Sequence, residues 1–288
     1  MAKGPIRTVF ATAAILCGAG LALSVVGYAA GGRPSQGLFG IDRWGTGSAA
    51  SQAYGSAGPM EELSVEGTKP QNGEYSLDVD LSVGDVTIED GDAFAVEANV
   101  AQAVSARWDG NTYQVCSRAG GGHDWDDLEV TVTVPAGIML QRAEIGTDVG
   151  AVTADALRAR TVELSADTGG IEVDALWAEE LECSASAGSI RVYDAQVDSA
   201  AHLDADADSI EASGTFSGRI SAECDVGSIL LSLEEPADYG YHAQGDLGSI
   251  VLGDREFGGM DFDHSEHTDA ATFFDLSSDM GSIEIDFS

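Results

Sequence analysis

The chain has 288 residues and carries 49 acids against 13 basic residues, a formal charge of −36 at pH 7. Such a surface repels phosphate backbones, whose recognition needs clustered Lys and Arg, so a nucleic-acid partner is excluded. Charge is unevenly spread: Lys3, Arg7, Arg33 and Arg43 precede residue 44, but Asp42 is the only acid to do so.

The first element is a run of 23 uncharged residues, Thr8 to Ala30. As a helix it extends roughly 34 Å, enough to cross a bilayer core. Lys3 and Arg7 precede it, so the positive-inside rule places residues 1–7 in the cytoplasm and the rest of the chain outside. The competing reading is a signal peptide cleaved after Gly27-Tyr28-Ala29, although its apolar region would exceed the usual span of about 7–15 residues. Residues 31–72 are rich in Gly, Ser, Ala and Pro without apolar periodicity, and read as a flexible stalk.

From Tyr75 the pattern becomes strict alternation. Leu77, Val79, Leu81 and Val83 are apolar, with polar residues between them, which predicts a strand. Further strands are expected through Pro135, with a hairpin around Asp109-Gly110, and residues 73–142 are read as a β cap with its lead-in strands. Beyond the membrane run no segment has helical periodicity.

Residues 143–288 carry an internal repeat. Its signature is polar, any, Gly, small, Ile or Val: DVGAV (148–152), DTGGI (167–171), SAGSI (186–190), DADSI (206–210), DVGSI (225–229), DLGSI (246–250) and DMGSI (279–283). An earlier relative, SVGDV (82–86), stands apart. The turn positions are separated by 19, 19, 20, 19, 21 and 33 residues, too short for a propeller blade or a helical hairpin. The period predicts an all-β fold: a β-solenoid, parallel and β-helix-like, of about seven coils of 19–20 residues. Counting from each turn Gly, apolar or small residues fall at −5, −3 and −1, then at +2 and +4, and these are expected to face inward. Gly suits a corner with positive φ, and Asp208 is among the few residues that tolerate one. The final strand, 282–287, would leave an unpaired edge, and Phe257, Met260 and Phe262 of the insertion before it are expected to cover that end.

YSLDVDLSVGDVTIEDGD (75–92), LEVTVTVPAGIMLQRAEIGTDVGAVTA (128–154) and the GSI coils resemble the bacterial putative-adhesin family of β-strand-repeat domains, over roughly residues 73–288. The resemblance implies a membrane-anchored envelope protein, with a stress-response role in some members. It supplies no catalytic residues.

The main candidate site is the outward column two residues before each turn: Asp148, Asp167, Asp206, Asp225, Asp246 and Asp279, with Ser186 in the third coil. Either each Asp caps its own turn by accepting a backbone N–H, or the row holds divalent cations or another ligand. His264 and His267, three apart beside Asp263 and Glu266, offer transition-metal ligands or form a solvated loop, and no metal is assigned. Cys183 and Cys224 are inward and two coils apart, roughly 9.6 Å. Disulfide geometry needs Cα atoms within about 7 Å, so both are read as core residues, and Cys116 is left unpaired.

The outward basic residues Arg142, Arg158, Arg160, Arg191 and Arg219 are scattered, and no Ser-His-Asp or Cys-His motif occurs. The expected function is therefore a non-enzymatic, cofactor-free adhesin or interaction scaffold. It would be held at the cell envelope by one membrane helix, with an envelope protein or glycan as ligand and divalent cations on the acidic face. Two alternatives stand: a regulatory or sensing role in envelope stress, and, more weakly, a carbohydrate-active enzyme on a parallel β-helix.

Overall fold

Strands in a parallel ladder need partners at a constant sequence offset, and the 19–20-residue period supplies them. The computed structural model describes residues 58–71, 73–118 and 128–288. The predicted span 8–30 lies outside these residues. Among those described, no helix is long and apolar enough to cross a membrane.

Leu157–Ala166 pairs in parallel with Leu140–Val149 on one side and Leu176–Ala185 on the other. Gly170–Val173 pairs likewise with Ala151–Ala154 and with the start of Ser189–Ala205. In coil 157–173 the buried residues come in three runs: Leu157 and Ala159; Val162, Leu164 and Ala166; Ile171 and Val173. Between runs the period-two pattern slips phase, as a strand must when it turns a corner and keeps its apolar side inward. Each coil therefore has three sides.

The +2 column is continuous through Val86, Val152, Ile171, Ile190, Ile210, Ile229, Ile283 and Ile250, in that spatial order, all fully buried. One coil cannot enclose its own apolar side, so stability resides in the contacts between neighbours.

Spatial order departs from chain order at both ends. Coil 76–91, which contains SVGDV, is not apart from the series. It stacks directly on coil 140–154, with Val83 opposite Val149 and Val86 opposite Val152. Its other side carries Thr112–Ser117 and Glu129–Pro135, which follow it in sequence. The far end repeats the device. Thr272–Ser278 and Ser282–Phe287 insert between coil 219–233 and coil 239–252.

The C-terminal strand is therefore an interior one, paired on both sides, and the expected open edge there is not found. The outermost coil is 239–252, and the insertion covers it: Arg255–Gly258 pairs antiparallel with Ser249–Leu252, and Phe262–Glu266 with Tyr239–Gly245. Phe262 is buried and Phe257 packs on the core, whereas Met260 stays exposed. At the opposite end Val104–Asp109 and Ala95–Ala98 cover the edges in the same antiparallel way. There Phe94, Trp108 and Tyr113 cluster with centroids 4.9–5.1 Å apart.

The corner glycines are required by close approach more than by φ. Only Gly84 and Gly150 in the corner column have positive φ, 127° and 143°. A Cβ at Gly169, Gly188 or Gly227 would lie 1.9–2.2 Å from the corner carbonyl oxygen of the preceding coil. Asp208 is accommodated otherwise than by a left-handed conformation. The N–H after the corner donates to the previous corner carbonyl at Gly170, Ser189, Ser228, Ser282 and Ser249, but Ser209 makes no such bond. The ladder opens locally there, and the opening makes room for a side chain.

Candidate functional site

At each corner the backbone just before the turn residue is bound by the neighbouring coil. The N–H groups of Thr168, Ala187, Ala207, Val226, Met280 and Leu247 donate to the carbonyls of Asp148, Asp167, Ser186, Asp206, Asp225 and Asp279 at 2.7–3.1 Å. The N–H groups of Asp167, Asp206, Asp225 and Asp279 are bound the same way. The N–H groups of the turn residues Gly150, Gly169, Gly188, Asp208, Gly227, Gly248 and Gly281 donate to no neighbouring backbone carbonyl among the described residues. Even so, none of the six carboxylates Asp148, Asp167, Asp206, Asp225, Asp246 and Asp279 accepts a hydrogen bond from a described residue. All six are exposed. Asp85 does cap, accepting the Ala151 N–H of the next coil at 2.9 Å.

Carboxylates about 4.8 Å apart repel by roughly 0.9 kcal/mol in water. The strain registers at Asp225, whose carboxyl is pushed above the usual range by partial burial first, then by Asp279, Asp206 and Asp204. Asp80 is raised likewise by burial, then by Asp148, Asp78 and Glu144.

The −1 residues are placed opposite to expectation. They face solvent: Val149, Thr168, Ala187, Ala207, Val226, Met280 and Leu247 are all exposed. Alternation ends one residue earlier than the sequence pattern implies, because the chain already turns at the Asp. An apolar stripe therefore runs along the corner beside the carboxylate column. The signal was present in the sequence, as Met280 and Leu247 are too large for a position shared with Ala187 in a thin core.

The five outward Arg residues Arg142, Arg158, Arg160, Arg191 and Arg219 are all engaged. Arg142 pairs with Glu144 (3.2 Å) and Glu163, Arg158 with Asp90 (3.1 Å) while stacking on Trp177, and Arg160 with Glu179. Arg191 faces Glu211 at 3.8 Å, and Arg219 pairs with Asp275 at 2.9 Å. These pairs lie on different coils and assemble no base beside a nucleophile.

In the insertion, the His264 ring packs on Phe257 at 5.5 Å. His242, which the sequence did not flag, lies between Asp275 (Nδ1, 3.0 Å) and Asp263 (Nε2, 3.3 Å). Among the described residues no group of three His, Cys, Asp or Glu side chains is placed to hold a metal ion. Cys183 and Cys224 are buried free thiols, as the coil register requires, and Cys116 is free and half-buried. Burial raises both buried thiols, which makes them poor nucleophiles.

Where the insertion folds over the last coils it leaves an open cavity of about 400 Å³, lined by Gln244, Asp246, Asp261, Asp263, Ser277 and Asp279 among others.

The parallel coils, laddered corners and outward acidic columns define an all-β repeat protein whose chemistry is spread along its surface. The chain belongs to the Toastrack DUF4097 family, whose model matches residues 70–272. It is similar to a solved putative adhesin from Bacteroides fragilis, at 15% identity, 78% of this chain, 95% of that one and a TM-score of 0.45. A putative cell adhesion protein from Clostridium sporogenes is similar at 13% identity, with 80% and 98% covered and a TM-score of 0.34. A putative lipid binding protein from Parabacteroides distasonis is similar at 14% identity, with 78% and 95% covered and a TM-score of 0.36. No curated protein matches the chain.

Proposed function

We propose that this chain is a β-solenoid tethered outside the cytoplasm by the helix at residues 8–30, and that it acts as a non-enzymatic adhesin or interaction scaffold at the cell envelope. The observation that carries this reading is the corner. The backbone on either side of each turn residue is tied into the ladder, and the six exposed carboxylates beside it accept no hydrogen bond from a described residue, so they are free to engage something else. The rigid stack repeats those side chains at about 4.8 Å, which suits recognition of an extended partner. The paired state of the outward Arg residues speaks against a lyase-type site. The six aspartates of the column are the proposed ligand-facing residues, with cationic groups, divalent ions included, as their counterpart.

Protease added to intact cells tests the reading. It should release a fragment beginning near residue 58 while membranes retain the N-terminal segment. A domain protected until lysis overturns the topology, and a mature N-terminus at Ala30 overturns retention of the anchor.

A further inference from the structure

The apolar stripe is strongest on three successive coils near the covered end. Val226, Met280 and Leu247 are 55%, 46% and 62% exposed. They are consecutive rungs, since the N–H of Met280 donates to Asp225 and that of Leu247 to Asp279. Beside them runs the densest part of the carboxylate column: Asp206, Asp225, Asp279 and Asp246. The column opens into the cavity of about 400 Å³, where Asp261 and Asp263 face Asp246 and Asp279 and no Lys or Arg is among the lining residues. Among the described residues His242, 3.3 Å from Asp263, brings an imidazole to the border of this set, and Gln244 of the lining offers a neutral amide. An exposed apolar patch rimmed by charge of one sign marks an interaction surface.

Charge and spacing select the occupant. A second copy of the chain would bring one Asp column against another, and an anionic bilayer would meet the same repulsion. A point-like metal ion finds no set of three His, Cys, Asp or Glu ligands among the described residues. The strip spans two coil spacings, about 9.6 Å. Two turns of α-helix rise about 10.8 Å, so residues i, i+3 or i+4, and i+7 of a helix meet the three coils in turn. We infer that Val226, Met280 and Leu247, with Asp225, Asp246 and Asp279, form a docking site for a cationic amphipathic helix of a partner protein. Its apolar side lies on the strip, and a Lys or Arg enters the carboxylate-lined cavity. This deepens the scaffold reading and rests on it.

The probe is a synthetic helical peptide with Leu at i, i+3, i+4 and i+7 spacing and Lys elsewhere, titrated by fluorescence anisotropy against the full chain. The control keeps every Lys and replaces Leu with Ser. The Leu peptide should bind at least tenfold more tightly than the control. The triple change Val226→Ser, Met280→Ser, Leu247→Ser should abolish that margin without altering the melting temperature, since all three side chains are at the surface. Asp225→Asn, Asp246→Asn, Asp279→Asn should weaken binding at least tenfold and flatten its dependence on NaCl. Equal binding of the two peptides, or an unchanged affinity after the Ser triple, overturns the site in favour of unspecific charge attraction. Tighter binding to neutral or anionic vesicles than to the Leu peptide overturns it too. Cross-linking of the Ser triple to the same envelope partners in cells would sink this site while leaving the scaffold reading intact.

Discussion

Gly169 and Gly170 are neighbours in sequence, yet the structure assigns them opposite tolerance to a methyl group. A Cβ on Gly169 would lie 2.0 Å from the Gly150 oxygen, where ordinary contact begins at 3.4 Å. The two coils must separate by more than 1 Å at that corner, which breaks the Gly170 N–H to Gly150 carbonyl bond of 3.0 Å. Losing that bond costs about 1–3 kcal/mol, and the overpacking about 1–3 kcal/mol more. Gly169→Ala should therefore destabilise by about 2–6 kcal/mol. A Cβ on Gly170 meets nothing closer than 3.7 Å, from Ser189 of the next coil. Gly170→Ala should stabilise by about 0.4–1 kcal/mol, through a smaller entropy of the unfolded chain. Urea titrations followed by circular dichroism separate the two, and amide exchange at residue 170 should accelerate only in the Gly169 variant. Equal effects of the two substitutions would refute the idea that coil-to-coil approach fixes the corner glycines.

Four further outcomes follow from the same geometry. Asp80 and Asp225 ionise less readily folded than unfolded, so their stabilising contribution is complete below the unfolded value near 3.8 and is lost as pH rises through the folded one. The melting temperature should rise as pH falls toward that unfolded value, and Asp225→Asn should raise it at pH 7 and reduce that rise; a melting temperature that only declines on acidification contradicts this. The buried Ser278 hydroxyl has no partner among the described residues, so Ser278→Ala should stabilise by about 1 kcal/mol in denaturant titrations. Cys183 and Cys224 should resist alkylation until the chain is denatured, and a linked pair found by mass spectrometry would break the coil register. Deleting residues 254–271 bares the edges of Tyr239–Gly245 and Ser249–Leu252, so light scattering should detect concentration-dependent association; a monomeric deletion variant would sink the capping role.

The period, the +2 column and the inward cysteines were legible because each depends on residues a fixed number of positions apart. Two other features were not, for different reasons. The −1 position was misplaced inward because alternation cannot tell the last residue of a strand from the first of a corner when Ala and Val suit both. Side-chain size decides: Leu247 and Met280 do not fit a column whose inward neighbours are Gly245 and Ser278. The coil order was hidden because register between repeats is the same for any neighbour, so a motif such as DMGSI pairs equally well with DVGSI or DLGSI.

That ambiguity has a physical resolution at the two ends. A solenoid built strictly in chain order would place Ser282–Phe287 outermost, with one edge unpaired, whereas this strand is paired on both sides. Placing coil 272–287 inside coil 239–252 makes the outermost coil one that is followed by 254–271, a segment long enough to fold back antiparallel over both exposed strands. The other end obeys the same constraint. Coil 76–91 lies inside, and the outermost strands, Thr112–Ser117 and Glu129–Pro135, are covered by Val104–Asp109 and Ala95–Ala98. The 33-residue spacing before the last turn, against about 19–20 elsewhere, is the sequence trace of that arrangement. The covered ends leave the corner as the long exposed feature of the stack, and the site at Val226, Met280 and Leu247 lies where corner and cap meet.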